Sequence, residues 1–513
     1  MTQYVQRTLM PSAPILVIAA VSVGLAIGSL LIGSLYSDLG ASELVAIGWS
    51  MFAIVCFAVW SRKTFDVFEP IVPMAISTFI GGTLRSMYIA WSPHDYSVVQ
   101  FLVGNMTPGQ LVQYEFMVPI ALASMALGYL AWRGRVPIER LPVMRNNEWP
   151  ALRVLLIAGV YAVLGMLGVY ILIKSTGISF TGLAGLSAKR TVDLSNQGGD
   201  QYAHAGYLRW LAACLRVSLL LLYMAWASRK DADGKPKPFG PFRIVVLVGL
   251  LFACMVWPVL SSSRTAVIEI VFNMMVIYVY ARNRGNFARF FRICMTVLVF
   301  ALVVLVGMGL WRNLSQRGSV TPAPFLQTFA DQSLGSGNFL PAERAAFIMD
   351  HYGDRPYRYG SSYLVWLAMP IPKLLWPDRP DISEMDDFVK GQIYGREVTQ
   401  GGYPPGMIGE AYINFGYFGV LFIPFLLGAL QRFVYVTFRP LLGVNRNATL
   451  LYAAILWEIG FQVADLNISL LMANVITTVL PLLLAFAFMK KTRQVAAATV
   501  APIPSLAIGS RSA

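Results

Sequence analysis

Charge is scarce in this sequence. Only 13% of its 513 residues are Asp, Glu, Lys or Arg, and histidine occurs three times. Ordinary soluble domains carry about a quarter charged residues, so a largely water-exposed surface is excluded. Cysteine occurs four times, at Cys56, Cys214, Cys254 and Cys294, each inside an apolar run. No two have metal-ligand spacing and none sits in an aqueous loop, which excludes a disulfide framework and a zinc centre. Acids are fewer than bases, 26 against 40, for a net charge of +14. The bases cluster beside the ends of apolar runs, where topology and anionic lipid account for them, so no nucleic-acid partner is expected. Paired broken helices at matching positions in two halves, the mark of many transporters, are also missing.

What is present is apolar: 57% of residues are hydrophobic, and the mean hydropathy is +0.61. The composition predicts an all-α integral membrane protein. Runs long enough to cross the hydrocarbon core fall at 13–36, 43–61, 68–91, 114–132, 151–174, 206–227, 243–260, 265–281, 293–311, 408–431, 449–466 and 470–489, roughly twelve spans. The first is too long for a cleaved signal peptide and reads as a retained anchor. Alternate connections are basic: Arg62 and Lys63, Arg133 to Arg153, Arg229 to Arg243, Arg282 to Arg292, Arg432 to Arg446, and Lys490 to Arg493. That alternation places both termini in the cytoplasm. The chain then divides into spans one to nine (1–311), one large outward loop (312–407), the last three spans (408–489) and a disordered cytoplasmic tail (490–513).

The stretch from Trp311 to Gly419 is the polar centre of an apolar chain. A loop of this length inside a compact protein is functional or disordered, and its aromatics and prolines argue for function. Within it, SSYLVWLAMPIPKLLWP is too broken by Pro370 and Pro372 to span, and Trp366 and Trp376 suit a helix lying on the outer leaflet.

Arginine below a membrane interface faces a cavity or a partner. Arg85, Arg209, Arg216, Arg264, Arg312, Arg317 and Arg344 all fall toward the outward side. Arg209, Arg264 and Arg312 are near enough to helix ends to snorkel. Arg216 lies about 15 Å deep at 1.5 Å per residue, where an ion pair with Glu269 or Glu458 is the structural alternative. Guanidinium forks suit phosphate oxygens, so the set is a candidate for a lipid-linked diphosphate. Glu410, where the loop re-enters the membrane, reads as a general base, an anchor for a substrate hydroxyl, or an interfacial carboxylate paired with arginine. His351 reads as a proton acceptor or as a plain surface residue. The acids Asp378, Asp381, Glu384, Asp386 and Asp387 fit the first turns of a helix better than a metal site, and no metal is expected.

Three stretches, SSSRTAVIE, GSSYLVWLAMPIPKLLWPDRP and PPGMIGEAYINFGYFGVLFIPFLLG, resemble the Wzy-type oligosaccharide repeat-unit polymerases of O-antigen and exopolysaccharide assembly. Together with the span count and the late outward loop, the resemblance covers most of the chain. It departs in one respect: no outward arginine here is followed by ten residues and then glycine, a spacing described for some members. The resemblance implies a GT-C-like glycosyltransferase of the bacterial inner membrane, its active site facing the periplasm. It implies undecaprenyl-diphosphate-linked oligosaccharides as donor and acceptor, membrane lipid around them, a chain-length regulator as a further partner, and no cofactor. Under that reading Arg264, Arg216 and Arg312 form the diphosphate clamp, with Arg209 and Arg344 behind them. Glu410, or alternatively His351, is the base, and Tyr403 and Tyr412 contact sugar. An O-antigen-ligase-type transferase or a lipid-linked oligosaccharide flippase are the alternatives.

Overall fold

The computed structural model describes residues 9–36, 39–62, 64–91, 108–145, 148–175, 200–233, 235–260, 263–282, 292–297, 339–368, 375–380, 384–393 and 404–489, with isolated positions between them. The fold is helical apart from one small ribbon, β1 (Leu9–Pro11) paired antiparallel with β2 (Thr64–Asp66), Leu9 opposite Asp66. In chain order the helices are α1 (Ala13–Tyr36), α2 (Leu39–Trp60), α3 (Ile71–Thr78), α4 (Arg85–Trp91), α5 (Pro108–Glu115), α6 (Met117–Ala131) and α7 (Ala151–Ser175). There follow α8 (Asp200–Ala227), α9 (Pro241–Leu260), α10 (Arg264–Arg282), α11 (Ala342–His351), α12 (Gly406–Phe438), α13 (Arg446–Trp457) and α14 (Ile468–Met489).

Among the described residues, nine segments are long and apolar enough to cross a membrane, with α5 and α6 forming one of them. Two of the other expected spans are helical but interrupted. The 68–91 run is α3 and α4 joined through a π turn, Phe79–Leu84. The 449–466 run is α13, a π turn at Glu458–Gln462, and Val463–Asp465. A π turn widens the helix by one residue and commonly marks a functional or tightly packed place. Here the two interrupted helices meet: a Cβ on Gly460 would lie 2.9 Å from Pro73 Cβ. The 293–311 run falls largely outside the described residues.

Without a hydrophobic force between helices in lipid, close packing has to come from small residues. On α6 and α12, a Cβ on Gly128 would fall 2.0 Å from Phe425 O, and one on Gly428 1.9 Å from Met125 O. Gly165 and Gly168 bring α7 close to the backbone of α8, where a Cβ would lie 2.5 Å from Leu215 N and 2.6 Å from Ala212 N. One core gathers Met51, Met74, Leu122, Ile348 and Met407. A second gathers Leu220, Val276, Leu450, Tyr452 and Phe486. Bases from connections assigned to one side do come together: Arg62 and Arg432 share Glu69, and Arg282 reaches the carbonyls of Ala227 and Lys237.

The expected outward loop differs from its sequence reading at α11. This helix is buried among the membrane helices, with Glu343 and Arg344 only 1% and 2% exposed. Its charges are neutralised by partners far away in the chain, which hydropathy cannot register. Downstream, Ser361–Ala368 is a short helical stretch that leaves Leu364 and Leu367 exposed, with Leu375 and Trp376 exposed beyond it.

Candidate functional site

The site is built on a break in α12. Pro404 and Pro405 lead into the helix, and Gly406 enters it at φ 69°, where a Cβ would lie 2.7 Å from Pro341 Cγ. Regular helix then fails at Phe415 (φ −141°) and Gly416 (φ 61°). Only glycine tolerates Gly416's place without strain, since it is both left-handed and packed on the Tyr357 hydroxyl. The break releases two carbonyls from the helix ladder. Arg358 N–H donates to Ile413 O and Tyr359 N–H to Asn414 O, both at 3.1 Å. The turn at 357–360 is thereby stitched to the broken span.

Side chains complete the joint. Glu410 is fully buried, and both carboxylate oxygens accept: Oε1 from Ser362 Oγ and Oε2 from Ile468 N–H, each at 2.7 Å. Asn414 Nδ2 donates to Ser362 Oγ and to Glu410 O at 2.8 Å, while its Oδ1 accepts from Gly360 N–H at 2.9 Å. Ser469 Oγ donates to Ser362 O at 2.5 Å. Three stretches distant in sequence, near 360, 410 and 468, are locked through one carboxylate. Ser362 and Asn414 were not singled out from sequence. The clue was the spacing of Glu410, Asn414 and Gly416, which puts acid and amide one helical turn apart just before the break.

The candidate arginines divide. Arg85 is buried against Glu343 at 2.9 Å and also donates to Leu334 O at 2.7 Å. Arg344 donates to Pro404 O and lies 3.9 Å from Asp465. Arg216 pairs with Glu269 and donates to Thr478 Oγ1, bridging α8, α10 and α14. Arg264 is half-buried at the start of α10, little more than a turn from Glu269. The side chains of Arg209 and Arg312, and residue Tyr403, lie outside the described residues.

His351 ends α11. Its ring stacks on Phe347 at 3.9 Å, and Nδ1 lies 3.2 Å from Phe347 O and 3.0 Å from Asp350 Oδ2. Tyr412 is nearly buried, edge-on to Tyr352 at 5.7 Å and to Tyr417 at 5.2 Å. Beside the lock, Asn467 Nδ2 lies 3.4 Å from Asp386 Oδ1. Burial pushes the Asp386 carboxyl up to about 6, against the pull of Lys390 and Arg344. Glu384 pairs with Arg358 at 2.7 Å, and Glu384–Phe388 is a short helix with acids in its first turn. Among the described residues no group of His, Cys, Asp and Glu has the arrangement of a metal site.

Compared with family models, curated proteins and solved structures, the chain matches none of them.

Proposed function

We propose that this chain is a membrane glycosyltransferase that joins undecaprenyl-diphosphate-linked oligosaccharide repeat units, working at the outer face of a bacterial inner membrane. The observation that carries the reading is the convergence around Glu410. Two of the three stretches behind the family resemblance, 360–380 and 404–428, are joined there by side-chain hydrogen bonds through Ser362 and Asn414. The third, 261–269, supplies Glu269 to Arg216. Residues that resemble one family pattern therefore serve shared polar joints in this fold.

In the reaction, an acceptor sugar hydroxyl bonds to the donor's anomeric carbon. The bond from that carbon to the diphosphate oxygen breaks, and the leaving undecaprenyl diphosphate takes the electron pair. Developing charge on the diphosphate calls for preorganised donors, and the proposal gives that role to Arg264, half-buried at the start of α10. The acceptor's proton goes to a base. His351 fits: with Nδ1 directed to Asp350 and Phe347 O, the neutral ring carries its lone pair on Nε2. Glu410, with both oxygens occupied, acts as a positioning residue that fixes the outward segment to the broken span.

The test is reconstitution. Purified protein in nanodiscs receives the host's polyprenyl-diphosphate-linked repeat unit with EDTA present, and products are resolved on a gel. A ladder of growing glycans, lost in Arg264→Ala, supports the reading. Movement of labelled lipid across proteoliposomes with no ladder overturns it in favour of a flippase. Transfer seen only when a lipid-core acceptor is added overturns it in favour of a ligase.

A further inference from the structure

A row of tyrosines runs from α12 to the turn at 357–360. Tyr417 follows the α12 break directly, and the helix from there to Phe438 is long enough to cross a hydrocarbon core of about 30 Å. Tyr417 therefore lies near one end of that crossing. Its ring meets Tyr412 at 5.2 Å, Tyr412 meets Tyr357 at 6.4 Å, and Tyr357 meets Tyr359 at 6.5 Å. Exposure rises from 38% at Tyr357 to 76% at Tyr359. On the other flank, Tyr114 lies beside Asp350 and Tyr417.

Two features separate this row from an ordinary interfacial aromatic belt. The first is rigidity: Tyr357 stacks at 5.9 Å on buried Tyr352, whose hydroxyl donates to Pro356 O at 2.8 Å. The second is strain. Tyr359 is the one non-glycine residue with positive φ among the described residues, at 49°, and it is the most exposed ring of the row. A bulky residue held left-handed is disfavoured, and such outliers persist where the surroundings enforce them. Here Asn414 enforces it, accepting Tyr359 N–H at its carbonyl and Gly360 N–H at its side chain.

We infer that Tyr417, Tyr357 and Tyr359, backed by Tyr412 and flanked by Tyr114 and Asp350, form a cradle for the glycan of a membrane-anchored glycolipid. A pyranose offers an apolar C–H face and a rim of hydroxyls. A tyrosine offers a flat apolar ring and one polar tip, so a row of them grips successive sugars. The occupant follows from this match of ring and pyranose at one end of the α12 crossing, the level at which the head group of a membrane lipid lies. This deepens the proposed function, on which the identity of the glycan rests.

Tyr359→Gly makes a clean test because glycine suits φ 49° and removes the ring without straining the turn. The probe is the oligosaccharide pool released by mild acid from the host's polyprenyl-diphosphate lipids, titrated onto protein in nanodiscs. Binding should weaken about tenfold in Tyr359→Gly and stay close to wild type in Tyr359→Trp, which keeps an aromatic face. A wild-type protein that binds the glycan but makes no ladder leaves the cradle standing and removes the polymerase. A wild type that makes a ladder, with Tyr359→Gly equal to it in binding and ladder, removes the cradle and leaves the polymerase. Equal binding with only a lowered Tm in lipid would reduce the row to an aromatic belt and overturn the inference.

Discussion

The joint around Glu410 and the group around Arg216 are both polar clusters buried among membrane helices, and they are satisfied to different degrees. At Glu410 each carboxylate oxygen has a donor, and every polar atom of Asn414 is engaged. Around Arg216 the ion pair with Glu269 is made, yet Arg216 Nε and Glu458 Oε2 have no hydrogen-bond partner. A buried polar group left unmatched costs free energy, whereas a matched one adds rigidity. The first cluster is thus a fastener. The second is less tightly specified, and substitution of its half-matched acid, Glu458, should cost less.

The sharpest break in this comparison comes from a third buried pair of the fastener kind. Arg85→Ala leaves Glu343 charged with its guanidinium partner removed, and should destabilise by about 3–5 kcal/mol. A fall in Tm in detergent, or loss of folded protein, reads the effect. Arg85→Met with Glu343→Met should cost less than Arg85→Ala alone, because no charge is left stranded. Next, Glu410→Ala strands the Ser362 hydroxyl and the Ile468 N–H, for about 3 kcal/mol, while Glu410→Gln keeps an acceptor and should cost about 1 kcal/mol. If both variants behaved as wild type in thermal unfolding, the joint would hold nothing together. Gly416→Ala combines a left-handed φ with a contact on Tyr357, and should cost about 1–2 kcal/mol while loosening the 357–360 turn to proteolysis.

How far these regions could be read in advance depended on what neutralises charge. Hydropathy and the spacing of Lys and Arg were enough for α1, α2, α7, α9 and α14, where the membrane itself dictates the residues. They were blind at α11, because Glu343 and Arg344 read as polar loop until Arg85 and Asp465 are brought to them by the fold. Interruption by π turns was equally hidden: Gly81 and Gly460 look like tolerated glycines, and only the neighbours they admit, Leu340 and Pro73, give a reason for them. Glu410 was legible as a special position, but its partners were not, since Ser362 and Ile468 lie 48 and 58 residues away. Arg216 was read more completely, since pairing with Glu269 stood among its alternatives.

Glu458→Gln sharpens the comparison from the weaker side. One oxygen of Glu458 already lacks a donor, so an amide there forfeits little, and the cost should stay under about 1 kcal/mol by thermal unfolding. Glu269→Gln, which takes the partner from Arg216, should cost several times more. Equal effects would mean that Arg216 is shared between both acids and that the two clusters are built alike.

A comparably small effect is the pH dependence at Asp386, beside the joint but outside the spans. Its folded-state value, raised by burial to about 6, exceeds its ordinary value of 3.8. The folded state therefore holds this proton more tightly than the unfolded one. Its contribution is fully present below about pH 3.8 and is lost as pH rises through about 6. Lys390 and Arg344 limit that loss, and the side chain is half-buried, so about 1 kcal/mol is expected. Asp386→Asn should flatten the unfolding profile between pH 4 and 6 and leave its shape above pH 7 unchanged. An undiminished slope in that variant would assign the titration to a carboxylate inside the joint, and Glu410 would then be a proton-exchanging group as well as a fastener.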